Sequence, residues 1–165
     1  MENKTPSTRV PNAKNLIVVV RVQERKYEET KANKHWAVNM KLEIISPEST
    51  NVKTADGLQP HIIAGQTFTT RFMLEGKGRK SAEEALNKLG IEITSLNHDD
   101  NETLSVFDNL AFKVSLSSSK ILSEVTDPET GEMVVEKDSN GKEVISGYKW
   151  EMAPWDIREL AELSM

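Results

Sequence analysis

The residues best equipped for chemistry fall into a few groups, each incomplete as a catalytic apparatus. His35, His61 and His98 are the three imidazoles of the chain. None has a histidine or carboxylate three or four residues away on a convincing helix, which is the spacing of a hydrolytic zinc site. Asn97, His98, Asp99 and Asp100 offer ligands to a hard cation, but the full calcium-loop pattern is missing. Cysteine is absent, which removes a disulfide framework, a thiolate zinc site and a cysteine nucleophile together.

The run Gly76, Lys77, Gly78, Arg79, Lys80, Ser81 is similar to a phosphate loop without the four-residue gap before Gly-Lys. It places three cations just ahead of a helix start, where free N–H groups and the dipole favour an anion. A solvated turn explains the same residues. The expectation is therefore a protein that binds and does not catalyse, with no catalytic residue, metal or cofactor.

Binding to a single nucleic-acid strand combines a cationic groove with rings on which bases stack. Tyr27 and Trp36 lie among Arg25, Lys26, Lys31, Lys34 and Lys41, and Tyr148 and Trp150 flank Lys149. Tyr27, in a charged segment, is the better stacking candidate. Trp36 shares a phase with Val38, Met40 and Leu42, so it reads as core unless it sits at a barrel mouth. Tyr148 and Trp150 share a phase with Met152, and core and stacking roles both stay open. Arg21, Lys41, Arg71 and Lys149 point outward from separate strands, as a strand-lined groove requires. The candidate contacts are these four, Arg25, Lys26 and Lys34, the turn cations Lys77, Arg79 and Lys80, and the rings of Tyr27, Trp36 and Trp150.

Charge is divided along the chain. The net charge is −5, yet residues 1–80 hold 14 Lys and Arg against 8 Asp and Glu, and residues 81–165 hold 7 against 18. A basic groove can exist under a negative total, although a mixed surface would give the same counts.

The 165 residues suffice for one domain with a real core. Residues 1–14 read as a flexible arm without the apolar run of a secretory signal. The longest apolar run, Leu16 to Val20, is far too short to cross a bilayer. In NLIVVVRVQE, Leu16, Val18, Val20 and Val22 share one phase, which predicts a strand. HWAVNMKLEII alternates cleanly and predicts a second. SPESTNVKTADGLQP reads as a long polar loop.

A third strand is predicted over 66–74, with Phe68, Phe72 and Leu74 in phase. Ser81 and Glu84 then form a capping-box pattern ahead of a helix over 81–89, with Gly90 at C′. Leu110, Phe112, Val114 and Leu116 mark a fourth strand. DPETGE and DSNGK flank MVVEK as turn signals, and a last strand spans 144–152. WDIRELAELSM, with Ile157, Leu160 and Leu163 at helical spacing, predicts a short terminal helix or tail over 153–165. Within it, residues 156–163 are expected to be dispensable for binding a polyanion, since Asp156, Glu159 and Glu162 are acidic.

A helix between the third and fourth strands of a five-stranded unit is the order of an OB-fold barrel. NLIVVVRVQERKYEETKANKHWAVNMKLEII, FTTRFML, the helix ending ALNKLGI, and NLAFKVSL together resemble small phage-encoded OB-fold proteins that bind single-stranded DNA. The resemblance covers most of residues 15–152. The fold expected is mainly β, an OB-fold-like five-stranded barrel with one helix between strands 3 and 4 plus a short C-terminal helix. The function it implies is binding single-stranded DNA with little sequence preference, in phage replication or recombination, in the host cytoplasm. Replication or recombination proteins would meet the acidic second half or the terminal helix. No membrane contact is expected, and a homo-oligomer stays open. The alternative is a protein–protein module, an inhibitor of a host factor or an assembly component, with the acidic surface as its marker.

Overall fold

A computed structural model describes residues 9–54 and 57–161. The architecture is mainly β: one large antiparallel sheet, two short hairpins and one α-helix. The strands are β1 (Leu16–Glu29), β2 (Trp36–Ser46), β3 (Ser49–Thr54), β4 (Gly57–Ile62), β5 (Thr67–Met73), β6 (Ala111–Leu122), β7 (Glu124–Thr126), β8 (Met133–Val135), β9 (Ile145–Glu151) and β10 (Ile157–Leu160). The helix α1 is Arg79–Lys88, between β5 and β6.

In the large sheet the order is β10-β6-β1-β2-β5, and β9 also pairs with β6. The long strand β6 serves both, pairing with β1 through Ala111–Leu116 and with β9 through Ser117–Leu122. β5 and β9 lie against each other without a backbone ladder among the described residues. The indole N–H of Trp150 on β9 instead donates to Gln66 Oε1, just before β5, at 2.7 Å.

The alternation read from the sequence sets the core. Val18, Val20, Met40, Leu42, Ile44, Phe72, Phe112, Val114 and Leu116 are all almost wholly buried. Ala82, Ala85, Leu86 and Leu89 at the helix complete it, and burial of each Val, Leu, Ile, Phe or Met side chain stabilises by about 1.5–3 kcal/mol.

The helix begins two residues earlier than expected. Gly78 is its N-cap and makes no side-chain cap bond, so Ser81 lies inside the first turn. Two close approaches explain the glycines around it. A Cβ on Gly78 would come within 2.9 Å of Met73 Cγ, and one on Gly76, at φ +77°, within 2.9 Å of the His35 ring. The other end is as expected: Ile91 N–H donates to Leu86 O and Gly90 N–H to Asn87 O, a Schellman motif around Gly90.

Three expectations are corrected. The described residues form ten strands instead of five, and no ladder among them closes a barrel. The polar stretch read as a loop contains the β3–β4 hairpin, in which main-chain pairing supplies the order that apolar burial does not. The C-terminal helix is replaced by a 3-10 turn at Pro154–Asp156 and by β10. Here β6 offers an edge, Ile157 fills the core completely, and Ala161 N–H donates to Ala111 O at 3.0 Å. Residues 162–165 and 1–8 lie outside the described residues. The remainder of the expected arm is tied to β6: Ala13 N–H donates to Ser118 Oγ at 2.8 Å, Ser118 Oγ donates to Pro11 O at 2.7 Å, and Pro11 is buried.

Candidate nucleic-acid interface

A β-bulge in β1 decides which cations share a face. Val22 pairs with Leu42 but Glu24 with Lys41, leaving Gln23 without an opposite number. Up to Val22 the even-numbered residues of β1 point into the core. Beyond the bulge the phase reverses, because one extra residue shifts every later side chain to the other face. Lys26 therefore lies beside outward-facing Asn39, whereas Arg25 and Tyr27 lie opposite Met40 and Val38 on the inner side.

The outer face of β1, β2 and β5 gathers Arg21, Lys26, Lys41 and Arg71, contributed by three adjacent strands. Asn39 pairs with both Lys26 and Arg71 in register, and Lys41 with Glu24 and Thr69. Polar contacts tie part of the row together. Lys26 Nζ is 3.3 Å from Glu28 Oε2, the Asn39 amide donates to the same carboxylate, and Arg71 Nε donates to Asn39 Oδ1 at 2.7 Å. Hydrogen bonding to Lys26 and its charge, aided by Asn39 and Arg71, hold the Glu28 carboxyl below its ordinary range; desolvation opposes them. Arg21 donates to Glu43 at 2.9 Å. Lys41 makes no ion pair or side-chain hydrogen bond among the described residues. Acids interleave with cations here; the Lys26–Glu28 pair is exposed and exchangeable, whereas the Arg21–Glu43 pair is partly buried.

The inner-side residues are engaged by the fold. Segment 97–108 crosses this end of the sheet: Tyr27 Oη meets Thr103 Oγ1 at 2.6 Å, and Arg25 Nε lies 2.9 Å from Asp108 Oδ1. Trp36 stacks on His98, with ring centroids 4.2 Å apart and planes 5° from parallel. Tyr27 packs half-buried against the core and also lines a surface depression with Arg25 and Lys26. In the same segment Asp99 N–H donates to Asn97 Oδ1 and Glu102 N–H to Asp100 Oδ1. These oxygens serve turn geometry.

The remaining candidates fall on the borders. Met73 is the next outward residue after Arg71, and Gly78 packs on it, so the turn carrying Lys77 adjoins the cationic face. Lys34 sits with φ 55° in the loop whose His35 meets Gly76. Arg79 donates to Leu74 O at 2.8 Å and so secures the turn, while Lys77 and Lys80 stay exposed. Trp150 is 5% exposed and belongs to the core. Tyr148 and Lys149 precede it on β9, with Lys149 3.6 Å from Glu151.

A surface depression of about 690 Å³ between β5 and β9 joins the far side of the cationic face. Thr69, Arg71, Ser117, Lys149 and Trp155 line it. Trp155 was not marked by the sequence pattern, because the helical spacing of Ile157, Leu160 and Leu163 assigned its segment to a helix. The signal for it is local: a tryptophan held between Pro154 and Asp156, outside any apolar phase.

Comparison of the chain with protein-family models, curated proteins and solved structures finds no match. Among the described residues, no helix is long and apolar enough to cross a membrane.

Proposed function

We propose that this protein binds single-stranded DNA with little sequence preference, without catalysis, along the outer face of β1, β2 and β5. The observation that carries the reading is the convergence of Arg21, Lys26, Lys41 and Arg71 on one face from three strands in register. Such a row tracks a flexible phosphate backbone, and the exposed carboxylates beside it are displaced as phosphates take over their partners. Lys77 and Lys149 extend the row at its borders.

The order of the elements is compatible with the OB-like expectation and adds to the same reading. The strand sequence β1-β2-β5, the helix before β6, and β9 packed between β6 and β5 follow the order of that barrel, with side chains in place of the closing ladder. Action in phage replication or recombination, in the host cytoplasm, rests on the resemblance of the sequence to phage single-strand binders.

One feature favours a second reading as a protein–protein module. The β7–β8 hairpin exposes Val125, Met133 and Val134 amid Glu124, Asp127, Glu129 and Glu132. In the single-strand reading this acidic arm meets proteins and not DNA. Fluorescence anisotropy with labelled oligothymidine and a matched duplex at two salt concentrations tests the choice. Binding to oligothymidine that weakens steeply with salt and exceeds duplex binding supports the proposal. Absence of binding by folded protein at low salt removes it and leaves the protein-partner reading.

A further inference from the structure

Trp155 is 68% exposed, unusual for a side chain that is normally largely buried. Its exposure is built into the backbone. Ala153 N–H donates to Asp156 Oδ2 at 2.8 Å, and Asp156 N–H donates to Ala153 O at 3.0 Å. Pro154 restricts the preceding residue, and Ile157, three residues later, is wholly buried. The turn is therefore pinned on both sides while its ring faces solvent.

The surroundings of the ring are polar and mixed in charge, two cations with two acids. Arg71 and Lys149 line the same depression, with the hydroxyls of Thr69 and Ser117. Of the acids there, Asp156 spends a carboxylate oxygen on the turn. Glu151 is held only through an exposed ion pair with Lys149. Trp150 has its N–H bonded to Gln66, which leaves Trp155 as the exposed indole of the depression. The volume of about 690 Å³ lies within the roughly 300–1,000 Å³ common for small-ligand sites.

We propose that Trp155 is a base-stacking platform: a single DNA strand that crosses Arg71 turns into the β5–β9 depression and lays a nucleobase on the indole, its flanking phosphates meeting Arg71 and Lys149. This rests on the single-strand reading above. It gives that reading the aromatic component that Tyr27, Trp36 and Trp150, engaged elsewhere in the fold, do not supply. An exposed ring that shares a depression with two cations matches a nucleotide, which presents a π-face and an anion together. It places the interface just ahead of residues 156–163, the segment expected to be dispensable.

The test uses the full chain, labelled oligothymidine, and an abasic strand of equal length. Trp155→Ala should weaken oligothymidine binding roughly 5- to 150-fold, the loss of one stacked base, with the salt slope unchanged. Trp155→Phe should restore most of the affinity, whereas Trp155→Leu, similar in bulk but without a π-face, should not. Intrinsic tryptophan fluorescence should be quenched by oligothymidine in the wild type and much less in Trp155→Phe. The abasic strand should bind wild type and Trp155→Ala alike. Circular dichroism and thermal unfolding establish that the variants are folded.

If Trp155→Ala and Trp155→Leu bind oligothymidine as wild type does while Arg71→Ala binds more weakly, the stacking site is overturned and the single-strand reading stands. An equal loss on the abasic strand also overturns it, since Trp155 would then act on the backbone. If the folded wild type binds no oligothymidine at low salt, both proposals fall and Trp155 belongs to a protein contact.

Discussion

At the end of the sheet covered by residues 97–108, Arg25, Tyr27 and Trp36 meet Asp108, Thr103 and His98. On the outer face of β1, β2 and β5, Lys26, Lys41 and Arg71 meet Glu28, Asn39 and solvent. The two regions draw on the same short stretches of chain and the same residue types. At the covered end, cations and rings are engaged by a segment that also buries Leu104 and Phe107 in the core, so losing those contacts means losing part of the fold. On the open face the partners are exposed side chains that an incoming phosphate can replace. The comparison teaches that cations beside aromatics mark an interface only where the fold leaves them unspent.

The largest expected contrast comes from removing the anchor of the covering segment. Phe107 is completely buried, and Phe107→Ala should cost about 3–5 kcal/mol of stability in urea unfolding. The folded fraction should retain its salt slope for oligothymidine. A slope that falls along with stability would mean that the two regions do not separate.

Tyr27→Phe sharpens the distinction at a single oxygen. It removes the Tyr27–Thr103 hydrogen bond and should lower stability by about 0.5–1.5 kcal/mol while leaving oligothymidine affinity unaltered. A loss of affinity without a loss of stability would restore Tyr27 as a ligand contact.

On the open face the effects should reverse. Lys41→Ala and Arg71→Ala should each reduce the slope of log affinity against log salt by about 0.7, with stability changed by no more than about 0.5 kcal/mol. Unchanged slopes in both variants would move the phosphate path off this face.

The smallest effect is expected at Glu28. Its carboxyl titrates below the ordinary carboxylate range through Lys26, Asn39 and Arg71. Its contribution to stability is therefore fully present above the unfolded-state value and is lost as pH falls through the lower folded-state value. At neutral pH the carboxylate competes with phosphate for Lys26. Glu28→Gln should tighten oligothymidine binding modestly at pH 7 and remove this residue's share of the acid-side loss of stability. Weaker binding at pH 7 would show that Glu28 orders the face more than it competes for it.

Local patterning made much of the framework legible. Period-two burial located β1, β2, β5, β6 and β9, and the residues around Gly90 marked the end of α1. These signals depend on side chains within a few residues of one another. The β3–β4 hairpin escaped because Thr50, Val52 and Gln59 show no apolar period, and main-chain pairing organises them. The terminal strand escaped because Ile157 and Leu160 fit a helical spacing as well as an edge strand. The choice between the two lay with β6, a strand more than forty residues earlier in the chain.

The sequence by itself determined a mainly β chain, a helix between its third and fourth long core strands, and outward cations on several strands. It did so because burial against a core imposes a period that residue types record. Tertiary structure alone decided which of those cations act together. The bulge at Gln23 reversed the phase of β1, sending Lys26 to the open face and Arg25 and Tyr27 to the covered end. Packing of β9 against β6 and Gln66 buried Trp150, while Trp155, five residues away, stayed in the open. Both outcomes turn on pairing register and on which edge a distant strand fills, and these are settled by contacts between segments far apart in sequence.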